Sequence, residues 1–147
     1  MSKNEREFPL QYYLRTVMHK IRLYANSSLE PYDISSQQAR IVGFIGEKQE
    51  KEINVCQKDI EAVMGITGPS VTSLLQGLDR KGFIKRRRST KDDRIKELTL
   101  TPKGKELIAK FQKVFDDAEK KIAQGMTNEQ KALFIKLLKV IDDIFKK

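Results

Sequence analysis

RKGFIKRRRSTKDDRIKELTLTPKGK, residues 80–105, decides the fold. Phe83 and Ile84 stand ahead of a basic run, and Leu98 and Leu100 alternate with Thr99 and Thr101 behind it. That pattern predicts two short strands joined by a charged, turn-prone loop, Ser89 to Arg94. The same stretch holds eleven Lys or Arg against three acids (Asp92, Asp93, Glu97), a net +8 of the chain's +9. The other 121 residues carry 18 basic and 17 acidic groups and are nearly neutral. Charge gathered in one patterned hairpin is the footprint of a polyanionic partner, here read as a DNA-binding wing. A solvated charged hairpin without a partner is the plainer alternative.

At 147 residues the chain is one domain, or a small domain with an attached helical part, and can bury a core without staples. One cysteine excludes an internal disulfide framework, and one cysteine with one histidine excludes an ordinary structural zinc site. No segment approaches 18 uninterrupted apolar residues, and the N-terminal MSKNEREFP lacks an apolar signal core. The protein is therefore expected to be soluble and cytoplasmic, with no membrane partner. There is no internal repeat, Gly-rich phosphate loop, metal-ligand cluster or nucleophile–base pair. Neither enzymatic activity nor a metal or cofactor is expected.

Helices dominate on either side of the hairpin. Pro9 suits a first helical position, and Leu10, Leu14, Val17, Ile21 and Ala25 follow at spacings of three or four, predicting a helix to about Asn26. LEPYD is then a turn broken by Pro31. Ser35 with Gln38 forms a capping box for a second helix bearing Ile41, Val42, Phe44 and Ile45, ended by the polar run GEKQEKE. Ile53 and Val55 make a short extended piece. Ile60, Val63 and Met64 mark a third helix that stops at Gly65.

After a tight turn, Thr67 caps a fourth helix with Val71, Leu74, Leu75 and Leu78 on one face and Ser70, Thr72, Ser73, Gln76 and Arg80 on the other. Gly82 fits its C-terminal cap. Thr101-Pro102 opens a fifth helix striped by Leu107, Ile108, Phe111, Val114, Phe115, Ala118 and Ile122. Thr127 with Gln130 caps a sixth, bearing Leu133, Phe134, Leu137, Leu138, Ile141, Ile144 and Phe145. The third and fourth helices, joined by a glycine-containing turn, read as a helix-turn-helix followed directly by a wing. The fold class is thus mainly α with a small β wing.

Two motifs in this frame are familiar. Leu78-Asp79-Arg80-Lys81-Gly82-Phe83-Ile84 closes a hydrophobic run, and Asp92-Asp93-Arg94 precedes Leu100-Thr101-Pro102-Lys103-Gly104. From about Val55 to Gly104 the chain resembles the MarR family (multiple antibiotic resistance regulators) of winged-helix transcription factors. The flanking helices match that family's plan in number and order. The resemblance implies dimerisation helices at 1–32 and 102–147 around a winged helix-turn-helix at 33–101. Cys56 stands where relatives place Thr or Ser at the cap of the third helix, and Gly68-Pro69 at the start of the recognition helix is a second departure.

A helix of this width enters the major groove, and short polar side chains on its N-terminal half reach base edges. Ser70, Thr72, Ser73 and Gln76 are the candidates, and Gln76 alone has the bidentate geometry for adenine. Backbone N–H groups near Gly68 and Ser70 are candidates to hold a phosphate, and Thr67 and Pro69 of the same turn are counted among the candidate DNA contacts. Arg94 can enter a narrow minor groove, and the resemblance implies that Asp92 braces it. Arg86, Arg87 and Arg88 alternate along a strand, so not all three can face DNA. Arg86, Arg88 and Lys91 complete the candidate contacts. For each of these residues a plain solvent-facing role is the alternative.

The terminal helices hold more apolar surface than a small winged helix can cover. A two-fold homodimer through Leu10, Leu14, Leu137, Ile141, Ile144 and Phe145 would bury it. Packing of the sixth helix on the fifth is the alternative. The resemblance further implies a small lipophilic or aromatic effector between the dimerisation helices and the DNA-binding part. Tyr12, Tyr13, His19, Arg22 and Phe44 are candidates for its walls and anchor, each equally readable as core or surface. Cys56, at a helix N-terminus, is a candidate thiol for oxidation, although family oxidant sensors carry their cysteines near the first helix. The expected function is that of a dimeric repressor binding a pseudo-palindromic operator. Its rivals are a non-specific architectural DNA-binding protein, marked by a low ratio of specific to non-specific affinity, and a protein–protein adaptor, marked by no DNA binding at low salt.

Overall fold

A computed structural model describes residues 1–146. Seven helices and a three-stranded sheet follow in the order α1 (Lys3–Glu7), α2 (Pro9–Leu29), α3 (Ser36–Glu50), β1 (Val55–Cys56), α4 (Gln57–Met64), α5 (Gly68–Arg80), β2 (Ile84–Arg88), β3 (Lys96–Leu100), α6 (Pro102–Ala123) and α7 (Asn128–Ile144). The fold is mainly α with a small antiparallel sheet, as the sequence predicts.

The caps set the boundaries. Ser35 Oγ accepts from the Gln38 N–H at 3.1 Å while the Gln38 side chain accepts from the Ser35 N–H, closing the predicted box on α3. Thr127 and Gln130 do the same for α7. Thr67 and Thr101 cap α5 and α6. Gly65 and Gly82 end α4 and α5 at φ 64° and 82°, where a side chain would be strained.

Several features depart from the sequence reading, beginning with α3, which continues through most of the polar run GEKQEKE to Glu50. α1 was not anticipated; five residues capped by Ser2 carry no apolar stripe. α2 outlasts Asn26 because Leu29 is fully buried and Ser28 donates back to the Tyr24 carbonyl. A 3-10 turn, Glu30–Tyr32, then absorbs Pro31. Ile53 is exposed and outside the extended pair, which is Val55–Cys56.

The strands run in the order β1-β3-β2, with Val55 opposite Leu98 and Ile84 opposite Leu100. One core unites the pieces: Ile41, Val42 and Ile45 of α3, Ile60 of α4, Val71, Leu75 and Leu78 of α5, Ile84, Leu98 and Leu100 of the sheet, and Leu107, Phe111 and Val114 of α6. Each fully buried aliphatic side chain contributes about 1.5–3 kcal/mol of transfer free energy.

α7 stands apart. None of its residues is buried, and Leu133, Phe134, Ile135, Leu137, Leu138, Val140 and Ile141 are all exposed. Self-packing of this helix on α6 is thereby overturned, because the buried face of α6 (Leu107, Phe111, Val114, Ala118) belongs to the core under α2 and α3.

Candidate nucleic-acid interface

The outward face of α5 consists of Pro69, Ser70, Ser73, Gln76 and Arg80, all exposed, while Val71, Leu75 and Leu78 point into the core. The helix is seated by close approaches to its neighbours. Gln38 lies against Gly77, where an added Cβ would come within 2.7 Å of its amide nitrogen. Gln57, the first residue of α4, donates its Nε2 to Thr72 Oγ1 at 2.9 Å and to the Gly68 carbonyl at 3.3 Å. Thr72 is therefore half-buried and engaged in tying α5 to α4, not free on the reading face with Ser73 and Gln76.

The N-terminus of α5 is also more occupied than the sequence implies. Ser70 N–H is taken by the Thr67 hydroxyl, the two hydroxyls share a hydrogen bond at 2.9 Å, and Pro69 has no N–H. The Glu61 carboxylate sits where a side chain on Gly68 would lie. Of the predicted phosphate cradle, Gly68 N–H is the donor left over.

The wing carries the charge. Asp92 Oδ1 accepts from both the Arg94 backbone N–H (3.0 Å) and its Nε (3.2 Å), and Asp92 Oδ2 accepts from Nη2 (3.2 Å). These side-chain bonds first, and the backbone bond second, hold the Asp92 carboxyl below its ordinary pKa. The Arg94 side chain nevertheless remains 90% exposed, so the clamp aims it without hiding it. Behind it the tip is closed by Ser89 N–H to the Ile95 carbonyl and Lys91 N–H to Ser89 Oγ.

The arginine run divides by face. Arg86 shares the core side of β2 with Ile84, opposite Leu98. Its Nε is buried without a hydrogen-bond partner and stands 3.8 Å from Asp79 of α5. The sequence reading placed Arg86 on DNA; the structure places it between wing and recognition helix. Arg87 faces the other way, toward Glu97, which also accepts from Asn54 and is nearly buried. Arg88 is exposed and directly opposite Lys96. Like charges at opposed positions repel, and Lys91 adds a third cation nearby. Among the described residues, Lys85, Arg88, Lys91 and Lys96 enter no ion pair. A phosphate backbone would supply what these cations lack within the chain.

The base of the wing explains the Leu-Thr-x-x-Gly pattern. Thr101 caps α6 through Gly104 N–H and donates its hydroxyl to the Gly82 carbonyl at 2.6 Å. A Cβ on Gly104 would stand 2.2 Å from the Phe83 carbonyl oxygen, so glycine lets α6 abut the hairpin backbone.

The five candidate effector residues are not gathered in one chain. Tyr12 and Tyr13 stack edge to face on α2, and Tyr13 donates to Glu5, whose hydrogen bond pushes the phenol pKa up. His19 and Arg22 are exposed further along α2. Phe44 instead lines an open groove of about 430 Å³ with Lys48, Ile53, Asn54, Val55, Asp59, Ala62 and Val63, and no α2 residue reaches it. Cys56 is half-buried at the α4 cap, its N–H held by Asp59. Among the described residues no helix is long and apolar enough to cross a membrane.

Comparison with known proteins agrees with this geometry. The family model described as "MarR family" matches residues 32–95. The HTH-type transcriptional regulator BilQ of Clostridium symbiosum (strain WAL-14163) is 32% identical over 127 residues, covering 86% of this chain and 85% of that protein. The MepR–DNA complex of S. aureus superposes with a TM-score of 0.82 at 30% identity, covering 93% of this chain and 99% of that one. A MarR mutant from E. coli complexed with operator DNA superposes with a TM-score of 0.84 at 22% identity, covering 96% and 99%, a likeness of fold.

Proposed function

The chain belongs to the MarR family of transcription regulators, which are DNA-binding proteins and not enzymes, and we propose that it works as a homodimeric repressor of a pseudo-palindromic operator. The observation that carries this reading is the pairing of an exposed polar α5 face with a wing whose arginine is aimed by Asp92 and whose other cations lack partners. α5 enters the major groove with Ser70, Ser73 and Gln76 toward the bases, and Arg94 enters the adjacent minor groove. Arg88 and Lys91 meet phosphate.

The dimer rests on a second observation. Leu10, Leu14, Leu137, Ile141, Ile144 and Phe145 are exposed in the single chain, at 38–79% of their full surface. An apolar surface of this extent, spread over α2 and an α7 none of whose residues is buried, is satisfied by a two-fold copy. Two copies set the recognition helices about one helical turn apart, so half-site centres are expected about 10 bp apart. A small aromatic effector is proposed to enter between the α2 and α6 helices of the assembled dimer, near Tyr12, Tyr13, His19 and Arg22. It would favour a state with the wrong helix spacing, as the wall positions on α2 allow.

Sedimentation combined with footprinting on the DNA upstream of the reading frame tests the proposal. A dimer protecting two symmetric half-sites is expected. Protection of one asymmetric half-site, or equal affinity for operator and random DNA, would reject it, the latter in favour of an architectural role. Calorimetric titration of aromatic acids with and without operator tests the effector: equal ligand affinity in both cases excludes coupling through DNA.

A further inference from the structure

Resting on the reading just given, we propose that Gln57 of α4 is a positioning residue for operator discrimination: its amide fixes the roll of α5 against α4, and so sets where Ser73 and Gln76 meet the bases.

Little else gives the N-terminal half of α5 a direction. Gly68 is half-buried, Pro69 and Ser70 are exposed, and Val71 is the first side chain of the helix to reach the core. The Thr67 cap bonds Ser70 and Val71, both of α5, so it travels with the helix and ties it to nothing. Among the described residues, the two bonds of Gln57 are the only hydrogen bonds that join residues 67–73 to another element. Its Nε2 donates to Thr72 Oγ1 at 2.9 Å and to the Gly68 carbonyl at 3.3 Å. A primary amide has the two N–H groups that this takes. One side chain thus spans a full turn of α5 from outside.

Apolar burial does not replace that clip. Val71, Leu75 and Leu78 hold α5 against the core, but apolar contact is non-directional and leaves the roll of a helix loosely set. Gln38 of α3 adds a second grip further along, at 3.4 Å to the Leu74 carbonyl, while its Oε1 serves the α3 cap. The shorter bond, nearest the residues that read, is that of Gln57. A roll of about 20° would carry a side-chain tip, about 5 Å from the helix axis, by roughly 2 Å. A base-edge hydrogen bond tolerates only about 0.5 Å. Gln57 itself is dispensable for the fold, since it is half-buried and Asp59 supplies the cap of α4 through the Cys56 N–H. The cations Arg88, Lys91 and Lys96 lie on the wing, outside its bonds. Base readout therefore depends on Gln57, and sequence-independent phosphate binding does not.

Anisotropy titrations of the full chain with the footprinted operator and with a scrambled duplex test this. Gln57→Ala is expected to lower operator affinity about tenfold, as one mismatched base pair does, while scrambled-DNA affinity and the salt slope hold. Gln57→Asn, one methylene shorter, should do the same, since it cannot span both acceptors. Thr72→Val removes one of the two bonds and should cost less; added to Gln57→Ala it should cost nothing more. Gln76→Ala should weaken the wild-type chain on operator more than it weakens Gln57→Ala, because a misplaced side chain has less to lose. Equal losses on operator and scrambled DNA would overturn the proposal by making the role of Gln57 structural only. Wild-type operator affinity in Gln57→Ala, or effects that simply add between Gln57 and Thr72 or Gln76, would overturn it too. A wild-type chain that binds both duplexes alike would instead overturn the regulator reading on which it rests.

Discussion

Replacing Arg94 by Ala removes a side chain that the wing both exposes and orients. The guanidinium is 90% exposed in the free protein, so its loss costs little stability and the effect falls on DNA. Taking about 1 kcal/mol for each minor-groove contact, at the lower end for an arginine on a base edge, two wings lose about 2 kcal/mol, or roughly thirtyfold in operator affinity. If each Arg94 also neutralises one phosphate, the slope of log affinity against log salt falls by about 0.9 per wing, close to two units for a dimer. Asp92→Ala has a different signature. Arg94 keeps its charge but loses three hydrogen bonds that fix it, and re-ordering part of a long side chain on binding costs about 0.5–0.7 kcal/mol in each of two wings. Operator affinity should drop by roughly five- to tenfold. Affinity for random DNA should hold or rise, since a carboxylate that repels phosphate is gone. Fluorescence anisotropy with operator and scrambled duplexes across a salt series separates the two variants. Wild-type affinity and slope for Arg94→Ala at about 0.15 M salt, or a larger defect for Asp92→Ala than for Arg94→Ala, would refute the clamp.

Other changes report on other parts of the fold. Ile141→Asp places a charge on an apolar seam and should yield a monomer in the ultracentrifuge with its helical content intact, because no residue of α7 is buried within its own chain; a folded dimer would put Ile141 outside the interface. Gly104→Ala forces a methyl to within 2.2 Å of the Phe83 carbonyl oxygen, and the shift it imposes should cost about 1–3 kcal/mol, read as a melting temperature lower by several degrees. Because Arg94 lowers the Asp92 pKa, their pairing is complete above the ordinary carboxylate range and is lost only as pH falls through the lowered midpoint. Its contribution to operator binding should therefore be flat from about pH 5 to 8, and NMR titration of Asp92 should give a midpoint under the usual aspartate value; a midpoint above that value would contradict the clamp.

The legible parts of this molecule were those where a local rule and the tertiary fold agree. Ser35 with Gln38, Thr127 with Gln130, and the threonine caps at Thr67 and Thr101 mark helix starts from sequence alone, because a cap is satisfied within four residues. The wing was legible because strand alternation and charge coincide in one stretch. The reading blurred wherever a side chain's partner is distant in sequence. Thr72 looks like any exposed polar residue of α5 until Gln57, fifteen residues away, claims it. Arg86 shares its face of β2 with Arg88, and only its place beside Asp79 of α5 sets it apart. β1 is two residues long, too short for any periodicity. The apolar stripe of α7 is visible in sequence, but whether it covers its own chain or another surface is a property of the whole fold.

A ligand that shifts the helices linking wing to dimer needs a rigid path to the DNA, and the base of the wing has one. α6 is joined to the hairpin by contacts with almost no play: Gly104 abuts the Phe83 carbonyl, Thr101 N–H bonds the same oxygen at 3.1 Å, and Thr101 Oγ1 bonds the Gly82 carbonyl. Lys103 donates to the Lys81 carbonyl at 2.8 Å, and Lys81 donates in turn to the Asp33 carbonyl in the segment after α2. Phe83, Ile84 and Leu100 are buried around this junction. α6, the C-terminal end of α5 and the hairpin base are therefore tied into one junction. The segment after α2 joins the same junction through Asp33, which holds a left-handed backbone at φ 59°. A change in the angle between α2 and α6 would swing recognition helix and wing together rather than loosen either. Several ångströms at the α5 tip suffice to lose the register of two successive major grooves. A hundredfold loss of affinity needs about 2.7 kcal/mol of differential ligand binding, which one buried aromatic ring can supply. The stiffness of the Gly104 junction is what would let so small a difference reach both DNA contacts at once.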